Sequence, residues 1–430
     1  MNVCKVLGEA IAFHYLPTNK FTTDYFSVHF ILPLHEQTVA GYSLLTKLFK
    51  KGCRAYPTQA SLAKALEELY SASINISVSK QGEQQVISLG TETLSSRFIF
   101  DKTPVAEKAN ELLCDVLTDP YLEDGVFSAA YVEREKVALK NQIRAAINNK
   151  NTYALKRCRE IMCEGEAYSL ALEGTEESVD SCTSASLYSL YLKMLKEARI
   201  EIFYIGSDPL AVVEKRISKL LARFPSRSPS TAQTVLVPRA DGVKRVTESV
   251  SAVQGKLAMG FRTGLAQNAT RREKDALLLF NLIYGASPVS KLFMNVREKL
   301  SLCYYCASRN DTAKGVLFVY SGVENENAEQ AENEILLQWE EIKRGAVTEE
   351  ELLCAKRTLR DITRSVGDSP AAMEQWYLTR LAADDDRSPE EVYEDFEALT
   401  VRDAQAAAEK ISLDTVFFLR GEGEEESDEL

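Results

Sequence analysis

The feature that most narrows the possible folds is a repeated order of elements on either side of a break in mid-chain. The break is Phe224-Pro225-Ser226-Arg227-Ser228-Pro229-Ser230-Thr231, whose two prolines and small apolar content suit a linker. Before it, an apolar strand near residues 27 to 34 leads to a helix over Val39 to Lys51 and a helix through Ala106 to Leu117. After Thr118-Asp119-Pro120 comes a long helix, roughly residues 123 to 148. Beyond the break, a strand at 256 to 262 leads to helices at 270 to 284 and 327 to 343. Thr348-Glu349-Glu350-Glu351 is then a capping box that opens another long helix. Residues 74 to 79, 85 to 89 and 316 to 320 have strand patterns, and Lys80-Gln81-Gly82-Glu83-Gln84 fits a hairpin turn between the first two.

At 430 residues the chain is too long for one core, since domains run to ~100 to 200 residues. The repeat therefore predicts two homologous α+β domains, each an antiparallel-rich sheet with helices packed on one face. Expected boundaries are 1–222 for the N-terminal domain, 223–232 for the linker and 233–420 for the C-terminal domain. Residues 421–430 read as a disordered tail, with six carboxylates between 422 and 430.

Acidic residues outnumber basic ones by 63 to 51, a net charge of −12. Nucleic acid is gripped by clustered Lys and Arg, and pairs such as Lys50 and Lys51 are too short to make that surface, so no nucleic-acid partner is expected. Residues 6 to 13 are mostly apolar, yet only Lys5 precedes them and no cleavage site or ~20-residue apolar run follows. The expectation is a cytoplasmic chain with no membrane segment.

Nine cysteines, scattered from Cys4 to Cys354, do not make a dense disulfide framework and are expected as reduced thiols. Cys303-Tyr304-Tyr305-Cys306 is a CxxC, but this odd spacing on a strand is expected to send the two sulfurs to opposite faces. Histidine is scarcer still: His14, His29 and His35, all before residue 40. No pair has the HxxEH spacing that puts two zinc ligands on one helix face, so three satisfied or exposed histidines are expected. GxSxG, GxxxxGKS/T and GxGxxG are missing as well. Gly421-Glu422-Gly423 belongs to acidic surroundings that repel phosphate.

Val296-Arg297-Glu298-Lys299 followed by Leu302-Cys303-Tyr304-Tyr305 resembles the REKxxLxY element of the pitrilysin/insulinase-like (zinc processing peptidase) metallopeptidases. Residues 285 to 293 resemble that family's Gly- and Ser-rich approach, and residues 341 to 361 its GxxTEEELxxAK element. The family implies two homologous α+β domains per subunit, with two subunits or halves closing around a peptide chamber. Within it, Ala55-Tyr56-Pro57, Glu68-Leu69-Tyr70-Ser71-Ala72 and Asp368-Ser369-Pro370 resemble the bacterial elongation factor P 5-aminopentanol modification-associated proteins. That resemblance implies a link to maturation of the translation factor.

Where the family carries HxxEH, Lys51-Gly52 sets a register that places Ser43, Thr46 and Lys47 in the ligand slots. A register one residue off would place Leu44, Lys47 and Leu48 there. The family's third ligand, a glutamate seven residues after another acid, aligns with Gln142 after Glu135. A protonated lysine has no lone pair for zinc, so no metal is expected in this chain, and zinc only in a partner subunit. Arg297 and Tyr304 match the family pattern, which implies that they reach the partner's site and hold a peptide carbonyl.

The resemblance thus implies a non-catalytic subunit that pairs with an HxxEH-bearing homologue and completes its peptide-binding chamber. Two alternatives stand beside it. One is a peptide-binding or scaffold homodimer; the other is an active zinc peptidase drawing ligands from His29, His35 and a distant cysteine or carboxylate.

Overall fold

The computed structural model describes residues 3–230, 234–266 and 268–423. Residues 231–233 of the expected linker and 424–430 of the expected tail lie outside it. The chain forms two compact units: Met1–Arg144 with Leu170–Gln233 and Ser369–Gln375, and Ala145–Ser169 with Thr234–Asp368 and Trp376–Leu430. A short segment from each sequence half therefore folds with the opposite half's unit.

The first unit is built on β1 (Val3–Gly8), β2 (Ile11–Pro17), β3 (Thr23–Pro33), β4 (Ser73–Gln81) and β5 (Gln84–Leu94). A small pair, β6 (Leu122–Glu123) and β7 (Val126–Phe127), stands apart, and β8 (Arg199–Gly206) completes the main sheet. The second unit holds β9 (Lys244–Val250), β10 (Gly255–Arg262), β11 (Cys303–Asp311), β12 (Val316–Val323) and β13 (Ser412–Gly421). The first sheet runs β1-β2-β8-β3-β5-β4 and the second β11-β12-β10-β13-β9. Read from the hairpin edge, β4-β5-β3-β8-β2 and β11-β12-β10-β13-β9 are one arrangement. In each, a single parallel pair, β2 with β8 or β9 with β13, joins otherwise antiparallel strands. The expected α+β repeat is present in the fold.

Local chemistry explains much of this. Strands β4 and β5 pair from Ser73↔Glu92 to Gln81↔Gln84, leaving Gly82-Glu83 as a two-residue turn with Gly82 at φ 53°. The capping box at Thr348 is made, and the helix runs Glu349–Ser365. The long helix expected from about residue 123 starts later, at Ala129, because Asp124 and Gly125 take positive φ and fold the preceding residues into the β6/β7 hairpin.

In the first unit Phe13, Val28, Phe30 and Ile202 meet Leu44, Leu45 and Leu48 in one core. In the second, Leu257, Phe261, Leu317 and Val319 meet Leu277, Phe280 and Ile335. Among the described residues no helix is long and apolar enough to cross a membrane.

Candidate functional site

The helix Glu36–Phe49 carries the positions aligned with the metal motif. His35 caps it, its Nδ1 accepting the Gln37 N–H at 3.2 Å. Past its end Gly52 takes φ +132°, where a Cβ would lie 2.2 Å from the Tyr56 carbonyl oxygen, so the turn demands glycine. Leu44, Leu45, Leu48 and Phe49, spaced as one apolar stripe of the helix, are buried. On the opposite face Ser43 and Thr46 are buried as well. Both hydroxyls find backbone acceptors, Ser43 the Leu172 carbonyl and Thr46 the Ser43 carbonyl at 2.8 Å, so their burial leaves no polar atom stranded.

Lys47 keeps partial exposure and reaches across to the helix Ala129–Ala145. Its Nζ donates to Gln142 Oε1 at 3.5 Å, and Gln142 Nε2 donates to Glu173 Oε1 at 3.4 Å. The two positions aligned with family ligands are thus neighbours, despite lying 95 residues apart. Beside them Lys51 Nζ sits 2.6 Å from Glu135 Oε1, with both side chains largely buried. This second bridge was not anticipated, although both residues flank the aligned motifs. A lone-pair donor set for zinc would need imidazoles or carboxylates converging here. Instead an ammonium faces an amide, and both hydroxyls are committed to carbonyls, so these residues do not fit the metal. Among the described residues no group of three or more His, Cys, Asp or Glu is arranged to hold a metal ion.

His14 and His29 stand elsewhere, on β2 and β3. His14 Nε2 is 2.7 Å from Glu201 Oε2, and its ring stacks on Phe203 at 4.4 Å. His29 is buried, with Nδ1 2.8 Å from Ser88 Oγ and Nε2 2.9 Å from Glu374 Oε1. Glu374 also accepts from Ser27 Oγ and from the Tyr25 hydroxyl at 3.1 Å. Burial pushes the Glu374 carboxyl up, but the hydrogen bond and charge of His29 and the two hydroxyls outweigh it and hold the acid below its ordinary value.

Arg297 lies in a π-helical segment, Leu292–Lys299, where Leu300 N–H donates to Asn295 O. Such wide turns often mark functional positions. Its guanidinium lies 4.7 Å above the Phe293 ring and 3.5 Å from Glu298 Oε1, with the side chain 42% exposed. Tyr304 is 64% exposed on β11, the edge strand, and donates to Glu324 Oε1 at 3.1 Å. Each of the two has its own anchoring partner.

The strand carrying Tyr304 corrects the reading of the cysteines. Cys303 opposes Val323 while Tyr305 opposes Gly322, so Tyr304 is an extra residue in a β-bulge. One added residue reverses the alternation, and Cys303 and Cys306 share the inner face instead of opposite ones. The two thiols are close enough to act on each other's proton, with Ser321 acting on both. The bond from Cys306 holds the Cys303 thiol below the ordinary range against its burial, helped by Ser321 and the Arg297 charge. Cys306 is pushed up by giving that bond and by burial.

Residues 181–359 match the family model described as the peptidase M16 inactive domain. Over 421 residues, 98% of both chains, the sequence is 31% identical to the Bacillus subtilis protein described as "Probable inactive metalloprotease YmfF". A conserved protein from Enterococcus faecalis superposes with TM-score 0.89 and 30% identity, covering 99% of this chain and 100% of that one. The peptidase M16 inactive domain structure from Pseudomonas fluorescens gives TM-score 0.78 at 19% identity, covering 99% and 98%. With this similarity running end to end over a duplicated fold, the chain belongs to the M16 family of pitrilysin/insulinase-like peptidases, as a homologue of its inactive members.

Proposed function

We propose that the chain is a non-catalytic M16 subunit that pairs with an HxxEH-bearing homologue and completes its peptide-binding chamber. The observation that carries this reading is the Lys47–Gln142 contact: the helix pair aligned with the family's metal ligands is bridged by an ammonium and an amide. Hydrolysis then belongs to the partner. This chain contributes binding, with an extended peptide pairing along an exposed sheet edge through main-chain hydrogen bonds. Arg297 and Tyr304, exposed beside and on the edge strand β11, hold the peptide carbonyl through a guanidinium fork and a hydroxyl. The similarity to elongation factor P modification-associated proteins makes that pathway the setting to test first, in the cytoplasm.

The test mixes the purified chain with an HxxEH homologue from the same genome and follows cleavage of a peptide library. Cleavage by the mixture, silence from either chain alone and a loss of about 100-fold with Arg297→Ala are expected, the size of a lost oxyanion donor. Chelator-sensitive cleavage by this chain alone overturns the reading. A stable homodimer that ignores the homologue would favour the scaffold alternative instead.

A further inference from the structure

The bulge in β11 builds a site that the peptide-chamber reading neither uses nor requires. Cys303 and Cys306 lie opposite Val323 and Ser321, two residues apart on β12. At ~3.3 Å of rise per residue, that puts their Cα atoms roughly 6.6 Å apart, inside the outer limit of disulfide reach. Both side chains turn into the same buried cluster, Cys306 directly opposite Ser321. Cys303 is the less buried of the two, at 9% against 4%, and begins the strand. Arg297 is the charged group that acts on Cys303 from the preceding helix.

We infer that Cys303 and Cys306 form a thiol–disulfide exchange site, with Cys303 as nucleophile, Cys306 as resolving thiol and a small-molecule disulfide as oxidant. The Cys303 thiolate attacks one sulfur of the small disulfide. A Cys303–small-molecule S–S bond forms, the original S–S bond breaks, and one small thiolate leaves. Cys306 then gives up its proton and attacks Cys303 Sγ, forming the intrachain bond and expelling the second small thiol. Two electrons pass from the protein's sulfurs to the small disulfide, giving one protein disulfide and two small thiols. Near the limit of its reach, the bridge is strained and therefore readily reopened by thiols. The low-lying Cys303 proton supplies the thiolate that such exchange needs.

The experiment treats the reduced full-length chain with oxidised glutathione and maps its cysteines after alkylation. A Cys303–Cys306 disulfide in the wild type is expected, replaced in Cys306→Ser by a stable glutathione adduct on Cys303. The pH midpoint for alkylating Cys303 should lie below the ordinary thiol range, at about 7, and should rise in Cys306→Ala. The proposal is overturned if Cys303 keeps a glutathione adduct beside a free Cys306 in the wild type, or if neither thiol reacts under conditions that modify Cys4. It is also overturned if the Cys303 midpoint is unmoved by Cys306→Ala.

Discussion

The two sheets share a strand order and differ in the chemistry of their second faces. On β10, β12 and β13 that face presents Ala258, Val316, Phe318, Phe417 and Leu419, and Ala154, Cys158 and Met162 of the helix Lys150–Met162 pack on it. On β2, β3, β5 and β8 the corresponding face presents a polar layer of His14, Ser27, His29, Ser88 and Glu201 beside the buried Ile31, Val86, Phe203 and Ile205, with Glu374 bonded into it. Each covering segment comes from the other sequence half. One topology therefore accepts two means of cohesion. Apolar area favours burial without prescribing a partner, whereas the hydrogen-bonded layer is stable only when each donor meets its acceptor.

The sharpest way to break the apolar face is at its charged rim. Arg262, 2% exposed, donates to Asp414 at 2.8 Å, to Glu166 at 2.7 Å and to the Met162 carbonyl at 2.7 Å. Arg262→Ala leaves the buried Asp414 without its guanidinium and Glu166 with Lys314 as its remaining cation, and urea unfolding should show a loss of about 3 kcal/mol. On the polar face Glu374→Leu removes the acceptor for Ser27 and the partner of His29, at a cost of about 3 kcal/mol. Adding His29→Leu should recover part of that loss by making this face resemble the other one. If the double variant shows the plain sum of the single losses, the layer is not a coupled network.

A smaller effect is expected from Gly260→Ala on β10. The added Cβ would stand 2.5 Å from Met162 Sδ and 3.4 Å from Cys158 Sγ, so the flexible Met162 thioether must swing aside, at a cost of about 1 kcal/mol in thermal or urea unfolding. The smallest effect separates the faces by pH. The Glu374 carboxyl is held below its ordinary value of 4.5, so it contributes stability that is fully present above that value and is lost as pH falls through the folded-state value. The stability gap between wild type and Glu374→Gln should therefore narrow on acidification from pH 7, and a gap that widens would contradict the assignment.

What the sequence made legible was local or periodic. The Thr348 capping box, the Gly82 turn and the stripe of Leu44, Leu45 and Leu48 are written within a few residues of the structure that they specify. The resemblance placed Lys47 and Gln142 in ligand slots but did not foretell their contact, because no local signal joins residues on separate helices. Long-range pairing was not readable: nothing near His29 announces Glu374, 345 residues away. Nor does helical periodicity tell of the burial of Ser43, since it counts a hydroxyl as polar, while a carbonyl at Leu172 satisfies it. Parity failed at Cys303 because the alternation rule assumes an unbroken ladder.

That single inserted residue has a consequence for any attempt to redesign the edge of the second sheet. Removing Tyr304 would restore the regular pleat, turn Cys303 towards solvent and take away the outward phenol in the same edit. The aromatic outside and the sulfur couple inside are thus one decision about chain length, and a substitution can tune either, but a deletion cannot spare one of them.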